Sequence, residues 1–167
     1  MAHVTTRGVR RQRIYLDHHD HEFFERLLGW VVTDHKWRLI AYCLMPNHYH
    51  LLIETTEANL SKGMHRLNFR YAVAFNRRYD LTGHVFERRF DSKPIADEEH
   101  LFEAARYIVL NPVRAGLCSD PGLWRWSSYA ASIGRAPARF LSLDRLLANF
   151  AGDPAAYASF VAQAVGR

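Results

Sequence analysis

His48-Tyr49-His50, set in the stretch Leu44-Met45-Pro46-Asn47-His48-Tyr49-His50-Leu51-Leu52-Ile53-Glu54, constrains this chain more than any other feature. On an extended segment alternate side chains share a face, so the two histidines point the same way while Tyr49 points the other. Their α-carbons lie roughly 6–7 Å apart at that spacing, close enough for two imidazoles to converge on one ion. Met45, Tyr49, Leu51 and Ile53 are expected to form the apolar face that anchors the strand. Two histidines do not complete a metal's ligand set, and a third donor has to come from elsewhere in the chain. The competing reading is a hydrogen-bonded histidine pair on a half-exposed strand, since histidine serves many roles.

A second constellation lies some sixty residues downstream, in Arg106-Tyr107-Ile108-Val109-Leu110-Asn111-Pro112-Val113. Asp97 suits a helix N-cap, and Glu98 and Glu99 suit the positive end of a helix dipole. Leu101, Phe102, Ala105 and Ile108 recur at helical spacing as a buried stripe. His100, Glu103, Tyr107 and Asn111 form a separate stripe, three or four residues apart and therefore neighbours on the helix surface. Pro112 is expected to end the helix directly after Asn111. A tyrosine and a carboxamide are thus presented together near a helix end. The alternative is an interfacial tyrosine with a polar neighbour.

The remaining elements surround these two. His3 to Thr6 reads as a short strand, followed by a basic turn and Ile14-Tyr15-Leu16. Phe23, Phe24, Leu27, Leu28 and Val31 mark an amphipathic helix from Asp20. Strands are expected from Trp37 to Leu44 and Tyr49 to Glu54, joined by a bend at Met45-Pro46-Asn47. Asn59 is placed to cap a long helix to about Tyr79. Val85 to Ile95 reads as extended, with breaks at Asp91 and Pro94. The order strand–helix–strand–strand–helix–strand predicts an α+β, ferredoxin-like antiparallel sheet with helices on one face. The tyrosine helix is an addition that must lie over the strand carrying the histidines. Ser142 to Phe150 and Pro154 to Val165 predict two further short helices, the second capped by Asp153. One domain over residues 1–167 is expected, with its core at about 3–130 and a C-terminal helical extension at about 131–167.

With 22 Lys and Arg against 17 Asp and Glu, a net charge of +5 and a pI near 9.5, the chain suits a polyanionic partner. Candidate phosphate contacts fall in clusters: Arg7, Arg10 and Arg11; Arg70, Arg77 and Arg78; Arg88, Arg89 and Lys93; and Arg114 beyond the tyrosine. Tyr71, Phe75, Tyr79, Phe86 and Phe90 interleave with them and offer stacking surfaces for unpaired bases, although Tyr71 and Phe75 fall at core spacing with Leu60, Met64 and Leu67. Cys43 and Cys118 have no metal-binding spacing. No Walker-type glycine loop points to a nucleotide cofactor. Without a signal-peptide pattern or an apolar run near eighteen residues, a cytoplasmic protein with no membrane partner is expected.

Taken together, these segments resemble the single-tyrosine HUH transposases, of IS200-like type. Met45-Pro46-Asn47-His48-Tyr49-His50-Leu51-Leu52 resembles their His-hydrophobic-His motif. Tyr107-Ile108-Val109-Leu110-Asn111-Pro112-Val113-Arg114-Ala115-Gly116 resembles the tyrosine helix of the REP-associated branch. Thr5-Thr6-Arg7-Gly8, Phe75-Asn76-Arg77-Arg78-Tyr79, Thr82-Gly83-His84-Val85-Phe86 and Trp124-Arg125-Trp126-Ser127-Ser128-Tyr129 match in order, so the resemblance runs from about residue 3 to 130. Glu87-Arg88 departs from it, standing where relatives often carry Gln-Gly.

The resemblance implies a single-stranded DNA endonuclease and strand transferase that cuts and rejoins hairpin-forming REP-type repeats through a 5′-phosphotyrosine. Tyr107 would be the nucleophile. A Mg²⁺ or Mn²⁺ ion would be held by His48, His50 and Asn111, with Glu103 and His100 as supporting groups. Single-stranded or hairpin DNA would be the partner of a monomer or homodimer. A tyrosine hydroxyl ionises near ~10 and therefore needs activation. The rival functions are a catalytically retired DNA-binding module of the same fold and a metal-dependent hydrolase without a covalent tyrosine. A plasmid relaxase or replication initiator shares the chemistry but usually belongs to a larger protein.

Overall fold

The computed structural model describes residues 1–165. Four antiparallel strands, β1 (Ala2–Arg7), β2 (Arg38–Met45), β3 (His48–Glu54) and β4 (Asp91–Pro94), form one sheet in the order β2-β3-β1-β4. Helices α1 (His18–Asp34) and α2 (Leu60–Tyr79) connect them, which is the ferredoxin-like arrangement expected. After β4 come the helices α3 (Glu98–Arg114), α4 (Tyr129–Ser132), α5 (Leu143–Leu147) and α6 (Pro154–Ala162).

The sheet separates two apolar cores. Val4, Leu39, Leu44, Tyr49, Leu51 and Ile53 face α1 and α2, meeting Phe24, Leu28, Met64, Leu67, Tyr71 and Phe75. Ile40, Ala41, Cys43, Met45 and Leu52 face α3 and the C-terminal helices. Each fully buried Leu or Ile contributes about 1.5–3 kcal/mol relative to exposure, so both faces are firmly covered. Met45 sits in the second core, not beside Tyr49 as its odd number suggested. The Pro46–Asn47 turn resets the alternation, and antiparallel pairing puts Met45 opposite His48 on the histidines' own face.

Several local expectations are refined. Asp17 caps α1 in a reciprocal capping box with Asp20, so the helix starts at His18. Asn59 precedes α2, but its side chain makes no cap; it accepts from Trp37 Nε1 at 2.7 Å and donates to the His35 carbonyl, tying the helix start to the approach to β2. Asp91 and Pro94 bound β4 instead of breaking a longer strand, and the upstream Val85–Glu87 segment pairs with Arg7–Val9.

The largest correction concerns Pro112. Helix α3 does not stop at Asn111 but continues through the proline to Arg114. Proline removes one N–H, which frees the Ile108 carbonyl. Asn111 Nδ2 lies 2.8 Å from the Tyr107 carbonyl and 3.5 Å from that of Ile108, so its carboxamide supplies donors where the ladder is interrupted. Pro112 itself is buried.

The C-terminal segment finishes the molecule. Ser142 N–H donates to the Leu39 carbonyl, Leu44 N–H to that of Trp126, and Ser128 N–H to that of Tyr42, so this segment covers the β2 edge. Leu146, Tyr157 and Val161 bury themselves in the core that supports α3. Arg145 pairs with Glu98 at the start of α3. The tyrosine helix is therefore clamped between the sheet and this extension, with Asp153 capping α6 as expected. The last two residues assigned to the extension, 166–167, lie outside the described residues. Among the described residues no helix is long and apolar enough to cross a membrane.

Candidate active site

β3 presents His48 and His50 on the face covered by α3, and Tyr49 on the other, where its hydroxyl donates to Asn68. The two imidazoles stand edge-on with centroids 5.0 Å apart. α3 crosses this face with Ala105 and Ile108 packed down, which brings Tyr107 over the histidines. Its ring centroid lies 5.8 Å from that of His50 and 6.0 Å from that of His3, edge-on to both. Tyr107 is 44% exposed, accessible to a macromolecular substrate although its neighbours are covered.

The hydrogen bonds around the histidines determine which ring atoms remain available. His48 Nδ1 is 2.7 Å from Asn47 Oδ1. His50 Nδ1 is 2.9 Å from His3 Nε2 and 3.2 Å from Thr5 Oγ1. His50 Nε2 is buried and has no hydrogen-bond partner among the described residues. Burial holds His3 and His48 down to about 4, Lys93 and His100 adding to the effect on His3 and Arg7 to that on His48. His50 is pushed down to about 2 by burial, with His48, His3 and Arg7 contributing in that order. All three rings are neutral at pH 7. Neutral imidazole is the form that ligates metal, and a ring whose Nδ1 is engaged offers Nε2.

The donor set therefore fits a divalent cation through His48 and His50. Among the described residues no group of three or more His, Cys, Asp and Glu side chains could hold a metal ion. Asn111, the carboxamide expected as third ligand, lies one helical turn beyond Tyr107, where its Nδ2 donates to the Tyr107 carbonyl at 2.8 Å.

The other candidates are distributed unevenly. His100 is exposed at the start of α3, its backbone N–H capped by Asp97. The Glu103 carboxylate is held by Arg106, with both oxygens 2.6 Å from Nη2. Arg7 lies opposite His48 in the β1–β3 register, Lys93 lies opposite His3, and the Arg114 guanidinium lies 5.2 Å from the Tyr107 ring centroid. These three cations surround the histidine–tyrosine cluster. Arg10 and Arg11 follow in an exposed turn with positive φ, and Arg88 pairs with Asp91 at 3.2 Å. Arg89 is exposed beside them.

Arg70, Arg77 and Arg78 belong to α2, across the sheet from Tyr107. Arg70 lies over Trp30 at 4.7 Å, and Arg78 is engaged by Asp17 and Asp20. Tyr71 and Phe75 are core residues, while Phe86 and Phe90 pack half-buried against the same core. Tyr79, one of the aromatics offered as a stacking surface, is half-buried and donates to Asp20 at 2.8 Å.

Sequence reading missed His3, Thr5 and Asn47 as members of the site. The repeated parity of His3 and Thr5 was a visible signal, but only the Thr5–His50 register puts both beside His50.

Residues 1–111 match the family model described as "Transposase IS200 like". A Haemophilus influenzae protein described as "Putative REP-associated tyrosine transposase" is 27% identical over 131 residues, covering 71% of this chain and 73% of that one. The fold is similar to that of a REP-associated tyrosine transposase solved bound to a REP hairpin. That likeness has a TM-score of 0.67 at 17% identity and covers 83% of this chain and 82% of the other.

Proposed function

The chain belongs to the IS200-like transposase family, and on that premise we propose that it cuts and rejoins single-stranded DNA at REP-type hairpins through Tyr107. The observation that carries this reading is the Tyr107 ring standing edge-on to His50 at 5.8 Å, on a face ringed by Arg7, Lys93 and Arg114. The hairpin specificity follows the relatives: one is described as REP-associated, and the other was solved with a REP hairpin.

In the proposed step, Tyr107 Oη attacks the scissile phosphorus. A bond forms between Oη and phosphorus, and the bond from phosphorus to the 3′-oxygen breaks. The phenolic proton passes to solvent at the exposed face of the tyrosine, and the departing 3′-oxygen takes up a proton. The products are a 5′-phosphotyrosine and a free 3′-hydroxyl. Rejoining reverses these transfers and needs no oxidant, reductant or nucleotide.

His48 and His50, with Asn111, would hold a Mg²⁺ or Mn²⁺ ion, which when bound supplies Lewis-acid polarisation of the phosphate. Arg7, Lys93 and Arg114 position the phosphate backbone, while α3 and its C-terminal support orient Tyr107 before the strand arrives. Arg10, Arg11, Arg88 and Arg89 extend the same basic side and suit more distant phosphates.

The deciding experiment is incubation with labelled single-stranded REP-type hairpins and Mn²⁺, followed by denaturing electrophoresis. Wild type should form a covalent protein–DNA adduct and a shortened strand. Tyr107→Phe should form neither while binding the hairpin within about twofold of wild type. Wild-type cleavage by Tyr107→Phe would transfer the argument to a metal-dependent hydrolase.

A further inference from the structure

We propose that His3 is a positioning residue for this site: its Nε2 accepts the proton of His50 Nδ1 and so keeps His50 Nε2 unprotonated toward the ligand. The assignment deepens the strand-transfer reading and rests on it only for the catalytic consequence. β1 and β3 pair with Thr5 opposite His50 and Leu52 opposite His3, so the two imidazoles meet across a diagonal of the sheet. Nε2 of His3 lies 2.9 Å from Nδ1 of His50, with the rings tilted by 34°.

Two imidazoles sharing one hydrogen bond have two proton arrangements. In the first, His50 carries its proton on Nδ1 and donates to His3. In the second, His3 donates and His50 carries its proton on Nε2. The surroundings separate them. His50 Nδ1 has two available acceptors, His3 Nε2 and Thr5 Oγ1 at 3.2 Å, whereas His50 Nε2 is buried with no partner among the described residues. The second arrangement would strand a buried donor, and the first leaves a lone pair that a ligand can satisfy.

His48 supports this assignment by repeating it with different chemistry. Its Nδ1 lies 2.7 Å from a carboxamide oxygen, Asn47 Oδ1, which can only accept. Both histidines then offer Nε2, one oriented by the turn before β3 and the other by the neighbouring strand. Partners of this kind set the tautomer and the ring direction of a ligating histidine. His3 does so from outside the ligand set.

Long-range proton–nitrogen correlation spectra of the metal-free, full-length protein locate the proton on each ring. His50 should be protonated at Nδ1 in wild type and in His3→Gln, whose Oε1 can accept. In His3→Leu the population should move toward Nε2–H. Calorimetric Mn²⁺ affinity should fall about 10–100-fold in His3→Leu and recover substantially in His3→Gln. A wild-type His50 protonated at Nε2 overturns the proposal without requiring any variant to fold. An unchanged His50 tautomer in folded His3→Leu also overturns it, transferring the task to Thr5. Cleavage by Tyr107→Phe would defeat the strand-transfer reading yet leave these spectra unchanged, so the two failures are distinguishable.

Discussion

The Tyr107 and His50 rings stand at 89° to one another, 5.8 Å apart, and both belong to one chain. On the proposed reading the candidate nucleophile and a candidate ligand lie side by side, with α3 held against the sheet by core packing and by Arg145 on Glu98. Mixing Tyr107→Phe with His50→Ala should not restore cleavage, because neither variant contains a complete site. Adduct formation above about a tenth of the wild-type level in the mixture would instead show tyrosine helices exchanging between protomers.

Metal binding should depend on His48 and His50 separately from DNA affinity. Replacing either with alanine should abolish detectable Mn²⁺ binding in calorimetry and stop cleavage. Hairpin affinity should change by less than about threefold, since arginine–phosphate contacts supply most of the binding energy. A tenfold loss of DNA affinity in the metal-free proteins would mean that the histidines contact the strand directly.

Salt should expose the basic rim. With about four phosphates contacted, the log–log slope of single-strand affinity against salt should be near −3. Arg7→Ala should make the slope shallower by about 0.7, while Arg78→Ala should leave it unchanged, because Asp17 and Asp20 already engage that guanidinium. Electrophoretic titrations from 50 to 300 mM salt would check both values. Equal slopes for the two variants would contradict this division of the arginines.

The histidine motif and the tyrosine helix were legible because each depends on local period: two for His48 and His50, three to four for Tyr107 and Asn111. What was not legible depends on pairing. Met45 changed faces because a turn resets parity, and His3 joined the site only through strand register. Arg78 looked available for phosphate because its carboxylate partners lie about sixty residues earlier in the chain. Pro112 looked terminal because sequence rules count its missing N–H but not the Asn111 carboxamide beside it.

Acid should destabilise the metal-free fold through the histidine cluster. His3 and His48 are held at about 4 and His50 at about 2, all below the ordinary 6.5 of histidine. Each binds its proton more tightly in the unfolded chain. Their contribution is fully present above about pH 6.5 and is lost as the pH falls through 6.5 toward 4, with His50 continuing toward 2. Roughly 1–2 kcal/mol is expected from each of His3 and His48 after solvent screening. Urea unfolding in EDTA should show stability falling between pH 6.5 and 5, and His48→Gln should reduce that slope. An identical slope in the variant would assign the loss to other groups.

Asn111 combines two roles that one substitution can separate. Its Nδ2 serves the interrupted helix at the Tyr107 and Ile108 carbonyls, whereas its Oδ1 is the candidate ligand atom. Asn111→Asp keeps an oxygen ligand but removes the donor, and it puts negative charge near the C-terminal end of α3. The lost hydrogen bond and the unfavourable helix dipole together should cost about 1–2 kcal/mol. Mn²⁺ affinity should nevertheless stay at or above wild type, because carboxylate suits a hard cation better than carboxamide does. Asn111→Ala should lose both stability and Mn²⁺ affinity. Chemical denaturation and calorimetry on the same samples separate the outcomes: a destabilised Asn111→Asp that binds Mn²⁺ supports both roles. If Asn111→Ala binds Mn²⁺ as tightly as wild type, Asn111 serves the helix alone.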